Sequence, residues 1–122
     1  ILIYFFDGKM TEKQKSDLIL IFNCSFIISV ISKIEFLGFK GYLDIQKYEQ
    51  AKEFISNSEV VSLSDQFVDP VITIRQKYSL KLGDAIIGAT ALTNNYTIVT
   101  RNTSNFNKIE GIKTFNPFDC DK

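Results

Sequence analysis

The sequence predicts an α/β fold in which a mostly parallel sheet lies between layers of helices. Three observations support this class. Segments with apolar residues at helical spacing alternate with short β-branched segments along the whole chain, as expected for parallel strands joined by helices. A helix of small and aliphatic residues, 84–92, is followed after a turn by an apolar strand at 96–100. That strand leads into the polar segment 101–105, and ligands of α/β proteins bind at such carboxyl ends of strands.

The first thirty residues predict a helix and a strand, preceded by a short apolar segment. That segment, 1–7, can be either a helix or a strand, because its periodicity does not distinguish the two. Thr11 predicts a capped helix that becomes apolar at 18–22 and ends at 23–25. Residues 26–30 are β-branched and aromatic, which favours a strand.

Two further helices follow, each with a candidate capping residue. Ser32 is predicted to cap a helix that carries Glu35 and ends at Gly38 or Gly41. Asp44 is predicted to cap the next helix. The apolar face of that helix has helical spacing and comprises Ile45, Tyr48, Ala51, Phe54 and Ile55.

The middle of the chain predicts a short strand at 60–63 and a helix over 64–78. The start of this helix has two alternatives. If Asp69 caps it, Pro70 occupies the favourable first turn, whereas a start at Ser64 places Pro70 inside the helix and bends it. The remaining predicted elements, after the helix and strand named first, are a turn at 102–106 and a last strand at 111–115.

Composition and charge limit the classes of protein that fit the sequence. Its 122 residues suit one domain, and a hydrophobic content of 45% supplies a core. Lys and Arg together number 14, and so do Asp and Glu, so the formal net charge is zero. Binding to nucleic acid would therefore need a local basic patch. The sequence has no histidine, which excludes His-based zinc sites and catalysis by Ser-His-Asp or Cys-His groups.

The cysteines and apolar segments predict a cytoplasmic protein without a membrane span. Cys24 and Cys120 are far apart and do not make a disulfide framework, which favours a reducing compartment. No apolar segment is long enough to cross a membrane, and the segment 1–6 lacks the basic region of a signal peptide.

Two isolated carboxylates in apolar helices, Glu35 and Asp84, are the main candidates for chemistry. Asp84 has a structural alternative, because an aspartate at a helix start caps the first N–H groups. Glu35 has the alternatives of a surface position or a salt bridge to Lys33 or Lys40. Oxygen ligands from separate strand ends, without His or a usable Cys, indicate a Mg²⁺ or Mn²⁺ site.

Four polar residues after the strand at 96–100 are weaker candidates. Asn102 and Asn105 are oxygen donors, but each also commonly forms turns. Thr100 lies at the end of the strand. Arg101 is either a solvated charge or a phosphate contact.

Three stretches of the sequence resemble the PIN domain family, in its VapC-like toxin branch. They are 28–38, 83–92 and 99–103, and their order and spacing span nearly the whole chain. The resemblance implies a three-layer α/β/α sandwich with a mostly parallel sheet of four to five strands. It also implies a metal-dependent ribonuclease in which Glu35 and Asp84 match the family's second and third acidic positions.

The chain departs from the family pattern at two acidic positions. The family's first acid lies in an Asp-Thr-Asn motif at the end of its first strand, which would precede Ile1. Residues 1–122 are therefore expected to be a single PIN-like domain that lacks its first strand. The fourth acid commonly lies in a Thr-Arg-Asn-x-x-Asp-Phe segment or directly after the Arg, and Asn102 and Asn105 stand at these places.

The resemblance implies an endoribonuclease that is the toxin of a VapBC-type toxin–antitoxin pair. Mg²⁺ or Mn²⁺ held by Glu35 and Asp84 would activate water for cleavage of RNA. The residues implied to support the site are Thr100, Asn102 and Asn105, and those implied to contact RNA are Arg101 and Lys81.

The implied partners are an RNA substrate, a small antitoxin protein and a second copy of the chain. The apolar segments 1–6 and 18–22, with Phe36 and Phe39, exceed what one small sheet needs to bury. This excess favours a homodimer.

Three other classes are alternatives. The amides at 102 and 105 favour a degenerate, non-catalytic PIN domain that acts as a binding module. A receiver-like phospho-acceptor domain shares the α/β plan, but it requires a pair of adjacent acids after a strand, which the sequence lacks. A dinucleotide-binding domain requires a G-x-G-x-x-G loop, which is also absent.

Overall fold

The structure is a computed structural model that describes residues 1–6, 8–42 and 44–118. Its elements, in chain order, are α1 (Leu2–Phe6), α2 (Glu12–Cys24), β1 (Ile27–Ser29), α3 (Val30–Leu37), α4 (Ile45–Ile55), β2 (Glu59–Val61), α5 (Asp65–Lys77), α6 (Leu82–Asn94), β3 (Thr97–Val99), α7 (Thr103–Phe106) and β4 (Lys113–Phe115). The predicted α/β class with parallel strands is confirmed. The chain divides into two compact units, Ile1–Val61 and Ser62–Lys122, and each contains one two-stranded parallel sheet.

The first unit is built around the parallel pair of β1 and β2, in which Ile28 lies opposite Val60. The connection between these strands contains α3 and α4, because parallel strands cannot be joined by a tight turn. The strand predicted at 26–30 is confirmed with shorter bounds, and the strand predicted at 60–63 is confirmed but begins and ends earlier, at 59–61.

Aromatic packing forms the core of the first unit, and the apolar segment at its start is a helix. Phe36, Ala51 and Ile55 are 1%, 0% and 3% exposed. The Phe6 ring lies edge-on to Phe36 at 5.6 Å between ring centroids, and Phe36 lies edge-on to Phe54 at 5.8 Å. Such pairs contribute about 0.5–1.5 kcal/mol beyond their buried area. They therefore hold α1 and α4 against the helix α3.

Two predicted helix caps in the first unit are confirmed. The Thr11 hydroxyl accepts a hydrogen bond from the Gln14 backbone N–H at 3.2 Å, and the Thr11 N–H donates to the Gln14 side chain at 2.9 Å. This reciprocal pair starts α2. The Asp44 carboxylate accepts a hydrogen bond from the Lys47 N–H at 2.7 Å and starts α4.

The prediction that Ser32 caps α3 is wrong. Ser29 occupies the capping position, and its hydroxyl accepts a hydrogen bond from the Ser32 N–H at 3.0 Å. The reason is that β1 ends at Ser29 and α3 begins at the next residue without a loop. The helix ends at Gly38, which is one of the two predicted ends.

The second unit contains the parallel pair of β3 and β4, in which Ile98 lies opposite Thr114. These are the strands predicted at 96–100 and 111–115, again with shorter bounds. Asn95 has a φ of 58° and ends α6 in the left-handed conformation. That conformation turns the chain from α6 into β3.

The helix predicted over 64–78 begins at Asp65, so the alternative with Ser64 before the helix is the correct one. Pro70 lies inside α5 and cannot donate a hydrogen bond to the Gln66 carbonyl. The buried face of α5, which packs on α6, comprises Phe67, Val71 and Ile74. Burial of this face offsets the missing backbone hydrogen bond.

The predicted turn at 102–106 is instead the short helix α7. Its single turn is closed by the Asn107 N–H, which donates to the Thr103 carbonyl at 2.8 Å. Phe106 is 4% exposed and fixes the turn against the second unit's core. Local propensity favours a turn in this Thr-Ser-Asn sequence, and burial of Phe106 selects the helix.

The helices are short. The longest, α2, α5 and α6, have 13 residues each, whereas a membrane-spanning helix needs about 20 apolar residues. Among the residues described, no helix has the length and apolar character needed to cross a membrane.

Candidate functional site

Asp84 lies in the first turn of α6, which begins at Leu82. Lys81 occupies the capping position, with an extended backbone and no side-chain hydrogen bond to the helix. The interpretation of Asp84 as the helix cap is therefore wrong, because Leu82 and Gly83 are already helical. The carboxylate still lies at the helix end where the dipole favours negative charge.

Asp84 is half-buried and belongs to a helix with a buried face. The two residues that follow it, Ala85 and Ile86, are 0% and 5% exposed, and α6 packs closely on α5. Within the described parts of the chain, no hydrogen bond or ion pair engages this carboxylate. Asp84 therefore has a fixed position and unused acceptor oxygens, which are two requirements of a ligand-binding side chain.

Glu35 lies on the exposed side of α3. The residues on either side of it in the sequence differ in their exposed fraction, which is 62% for Ile34 and 1% for Phe36. The predicted alternative of a salt bridge to Lys33 or Lys40 is not observed among residues 1–6, 8–42 and 44–118. The alternative of a surface position agrees with the exposure of Glu35. Its carboxylate is thus solvent-accessible and unpaired within the described chain.

The polar segment after β3 is ordered by hydrogen bonds around Thr100. The Thr100 N–H donates to the Phe115 carbonyl of β4 at 2.9 Å, which fixes Thr100 at the carboxyl end of the strand pair. Its hydroxyl accepts a hydrogen bond from the Asn102 N–H at 3.0 Å. Asn102 precedes α7 without capping it, and Asn105 is half-buried within that helix. The structure therefore places these three residues in one local segment.

The two candidate cations, Arg101 and Lys81, are both exposed. The Arg101 guanidinium lies 4.8 Å from the centroid of the Phe118 ring. The Asn116 side chain donates a hydrogen bond to the Arg101 carbonyl at 3.4 Å. Arg101 is therefore held beside the last described residues of the chain.

The candidate donors are carboxylate, amide and hydroxyl oxygens, which are the ligands that Mg²⁺ and Mn²⁺ prefer. Asp84 and the segment after β3 lie in the second unit, and Glu35 lies in the first. The convergence of Glu35 and Asp84 remains a prediction. Across the described residues, no three His, Cys, Asp or Glu side chains gather into a group that could hold a metal ion.

Two basic residues near Lys81 were missed by sequence reasoning. Arg75 and Lys77 lie with Lys81 around an open depression of about 480 Å³ at the connection between α5 and α6. The available signal was three cations in a segment of seven residues, 75–81, that contains no carboxylate.

Comparisons with known proteins agree with these observations. The model of the PIN domain family matches residues 1–112 of the 122-residue chain. No curated protein sequence matches the chain significantly. The solved structure of a toxin–antitoxin complex from Klebsiella pneumoniae is 33% identical, with 75% of this chain and 72% of that chain covered and a TM-score of 0.63.

Two further structures are similar over almost the full length. VapBC2 from Rickettsia felis, bound to a DNA fragment from its promoter, is 20% identical, with 93% of this chain and 91% of that chain covered and a TM-score of 0.79. DNA-bound VapBC from Salmonella typhimurium is 22% identical, with 94% of this chain and 91% of that chain covered and a TM-score of 0.78. These likenesses show a shared fold, and the family match confirms the resemblance found in the sequence. The chain therefore belongs to the PIN domain family.

Proposed function

We propose that this chain is a VapC-like toxin that cleaves RNA as a metal-dependent endoribonuclease. The observation that carries the proposal is Asp84, because by the resemblance it matches the third acidic position of a family whose model covers residues 1–112. Its carboxylate lies in the first turn of α6 with no described partner. Its described structural role is the interaction with the helix dipole, which leaves the carboxylate oxygens available to a ligand.

Glu35 and Asp84 would hold Mg²⁺ or Mn²⁺, since both offer unpaired carboxylate oxygens. Such an ion, when bound, supplies positive charge that stabilises the scissile phosphate and makes water a stronger nucleophile. The chain's own contribution is to carry these two carboxylates on the helices α3 and α6, of which α6 packs on α5.

The residues after β3 would orient the substrate and water beside the acids. Thr100 is fixed by its backbone hydrogen bond to Phe115, so its hydroxyl has a defined position. Asn102 and Asn105 would supply amide oxygens and N–H groups where the resemblance to the family implies an acid. Arg101 and Lys81 would bind RNA phosphates, and both are exposed as that role requires.

The partners proposed for the chain are a small antitoxin and a second copy of itself, in the cytoplasm. The structural neighbours come from toxin–antitoxin complexes, which supports the first partner. Ile19 and Leu20 of α2 are 46% and 66% exposed and support a protein-binding surface there. Phe36 supplies no such surface, because it is buried in the core.

RNA cleavage by the complete protein tests the proposal, with Asp84→Asn compared with Asp69→Asn as a matched control. Asp69 is an exposed aspartate of the same unit. The parent and the control should cleave RNA with Mg²⁺ or Mn²⁺ and lose cleavage with a chelator. Asp84→Asn should lower the rate by more than about 100-fold, since even residues that only hydrogen-bond to metal ligands contribute about 10–100-fold.

A degenerate, non-catalytic PIN domain that acts as a binding module is the second candidate. It is favoured by Asn102 and Asn105, which add no charge where the resemblance to the family implies an acid. In that case the complete parent protein would bind its partner but would show no metal-dependent cleavage of any RNA tested.

A further inference from the structure

The connection between α5 and α6 forms a basic patch on a chain whose formal net charge is zero. An open depression of about 480 Å³ is lined by residues 75–81. Its three cationic side chains, Arg75, Lys77 and Lys81, are exposed, and no carboxylate lines it. Within the described residues, no ion pair neutralises any of the three. The positive charge of this patch is therefore available to an anionic ligand.

Contacts made by Arg75 and Tyr78 fix the conformation of the segment that forms the patch. The Arg75 guanidinium donates a hydrogen bond to the Leu80 carbonyl at 3.3 Å. The Tyr78 hydroxyl accepts a hydrogen bond from the Glu110 N–H at 3.1 Å, and the Lys77 ammonium lies 5.8 Å from the Tyr78 ring centroid. A ligand would meet cations on a backbone that is already ordered, which reduces the entropy lost on binding.

The patch adjoins the candidate site along the chain. Lys81 is the residue directly before α6, and Asp84 lies in the first turn of that helix. An anionic chain that places one phosphate beside Asp84 would therefore carry its neighbouring phosphates past Lys81 and the depression.

We propose that the depression lined by residues 75–81 binds the phosphate backbone of the RNA segment that flanks the nucleotide held at Asp84. This inference rests on the proposed function. Lys77 and Lys81 would neutralise phosphates, and Arg75 would keep the connection in its binding conformation. RNA is favoured over an acidic protein, because the patch directly precedes the helix on which Asp84 is proposed to bind RNA. Leu82, next to Lys81 in the chain, is 58% exposed, so an acidic protein is the alternative that the test excludes.

The test is the binding of single-stranded RNA oligonucleotides to the complete protein, measured by fluorescence anisotropy with divalent ions chelated so that no cleavage occurs. The double variant Lys77→Gln/Lys81→Gln is compared with Lys108→Gln/Lys113→Gln. The control removes the same charge from two exposed lysines of the same unit. Arg75 stays unchanged, because its hydrogen bond supports the connection.

The test variant should bind about 10-fold more weakly at 0.1 M salt, and its plot of log affinity against log salt should be shallower by about 1.4. The slope is expected to change by about 0.7 for each phosphate of a single strand that the variant no longer neutralises. Two oligonucleotides of unrelated sequence should show the same change, since binding to phosphates carries no sequence information. The control should retain the parent's affinity and slope.

An unchanged slope in the test variant would overturn the inference, even if RNA cleavage still depends on Asp84. Binding of polyglutamate with the same lysine dependence, without binding of RNA, would also overturn it and assign the patch to an acidic protein. If the protein cleaves no RNA but the slope falls as expected, the result supports phosphate binding by the patch and contradicts the proposed catalytic function.

Discussion

The hydroxyl of Ser29 accepts a hydrogen bond from the backbone N–H of Ser32 at 3.0 Å, and this contact starts the helix that carries Glu35. Ser29 is also the last residue of β1 and is 9% exposed. One side chain thus joins the end of a strand to the start of a helix. The position of Glu35 depends on this junction, because Glu35 lies less than two turns further along α3.

Replacing the capping serine should therefore destabilise the protein more than replacing its partner. Ser29→Ala removes the cap and should lower the free energy of unfolding by about 1 kcal/mol. Ser32→Ala keeps its backbone N–H and should cost less. Urea denaturation monitored by circular dichroism measures both, and a larger loss for Ser32→Ala would contradict the assigned cap.

Asp44 and Asp84 both lie near the start of a helix, but their replacement by alanine should change the free energy of unfolding by different amounts. Asp44→Ala removes a capping hydrogen bond and should cost about 1 kcal/mol. Asp84→Ala removes no described hydrogen bond, and alanine is the better residue inside a helix. The free energy of unfolding should then change by less than about 0.5 kcal/mol, because the loss of the dipole interaction is partly offset. If the two substitutions lower the free energy of unfolding equally, the role of Asp84 is to stabilise the fold.

Local signals in the sequence predicted the fold well. Thr11 and Asp44 were identified as caps, because a cap depends on one side chain and the two or three residues that follow it. The cap of α3 is Ser29 and not the predicted Ser32, and the same residue type stands at both positions. Only the length of β1, which pairing with β2 determines, distinguishes them.

Tertiary packing explains what the sequence left open. Pro70 lies inside α5 because the helix buries an apolar face on α6, and no local rule for proline predicts that outcome. Asp84 was identified as a candidate, but its helix begins earlier than expected, so its capping alternative fails. Arg75 and Lys77 resemble ordinary solvated charges in sequence, and only the folded connection gathers them around one depression.

The amides after β3 predict a measurable gain in metal affinity. Asn102→Asp adds a negative charge at a position where the resemblance to the family implies an acid, so the complete protein should bind Mn²⁺ more tightly. Asn23→Asp, an exposed change on α2, should leave the affinity unchanged. Isothermal titration calorimetry measures both variants. No gain with Asn102→Asp would exclude this residue from the metal site.

The exposed apolar side chains of α2 predict a self-association surface. Leu20 is 66% exposed, so Leu20→Lys should not disturb the core but should weaken a homodimer that buries it. Ser16→Lys adds the same charge at another exposed position of α2. Light scattering over a range of concentrations should show dimeric mass for the parent and for Ser16→Lys, and lower mass for Leu20→Lys. A parent that is monomeric at every concentration would contradict the homodimer.

The central claim is that Glu35 and Asp84 hold the same cation, and Mn²⁺ binding to the complete protein tests it most directly. The parent, Glu35→Gln, Asp84→Asn and the double variant are titrated with Mn²⁺ and followed by electron paramagnetic resonance. Each single substitution should weaken binding by at least about 10-fold. The double substitution should weaken it by much less than the product of the two, because ligands of one ion are energetically coupled. Single variants that bind Mn²⁺ as tightly as the parent would contradict a shared site. So would a double variant whose loss of Mn²⁺ affinity equals the product of the losses of the two single variants.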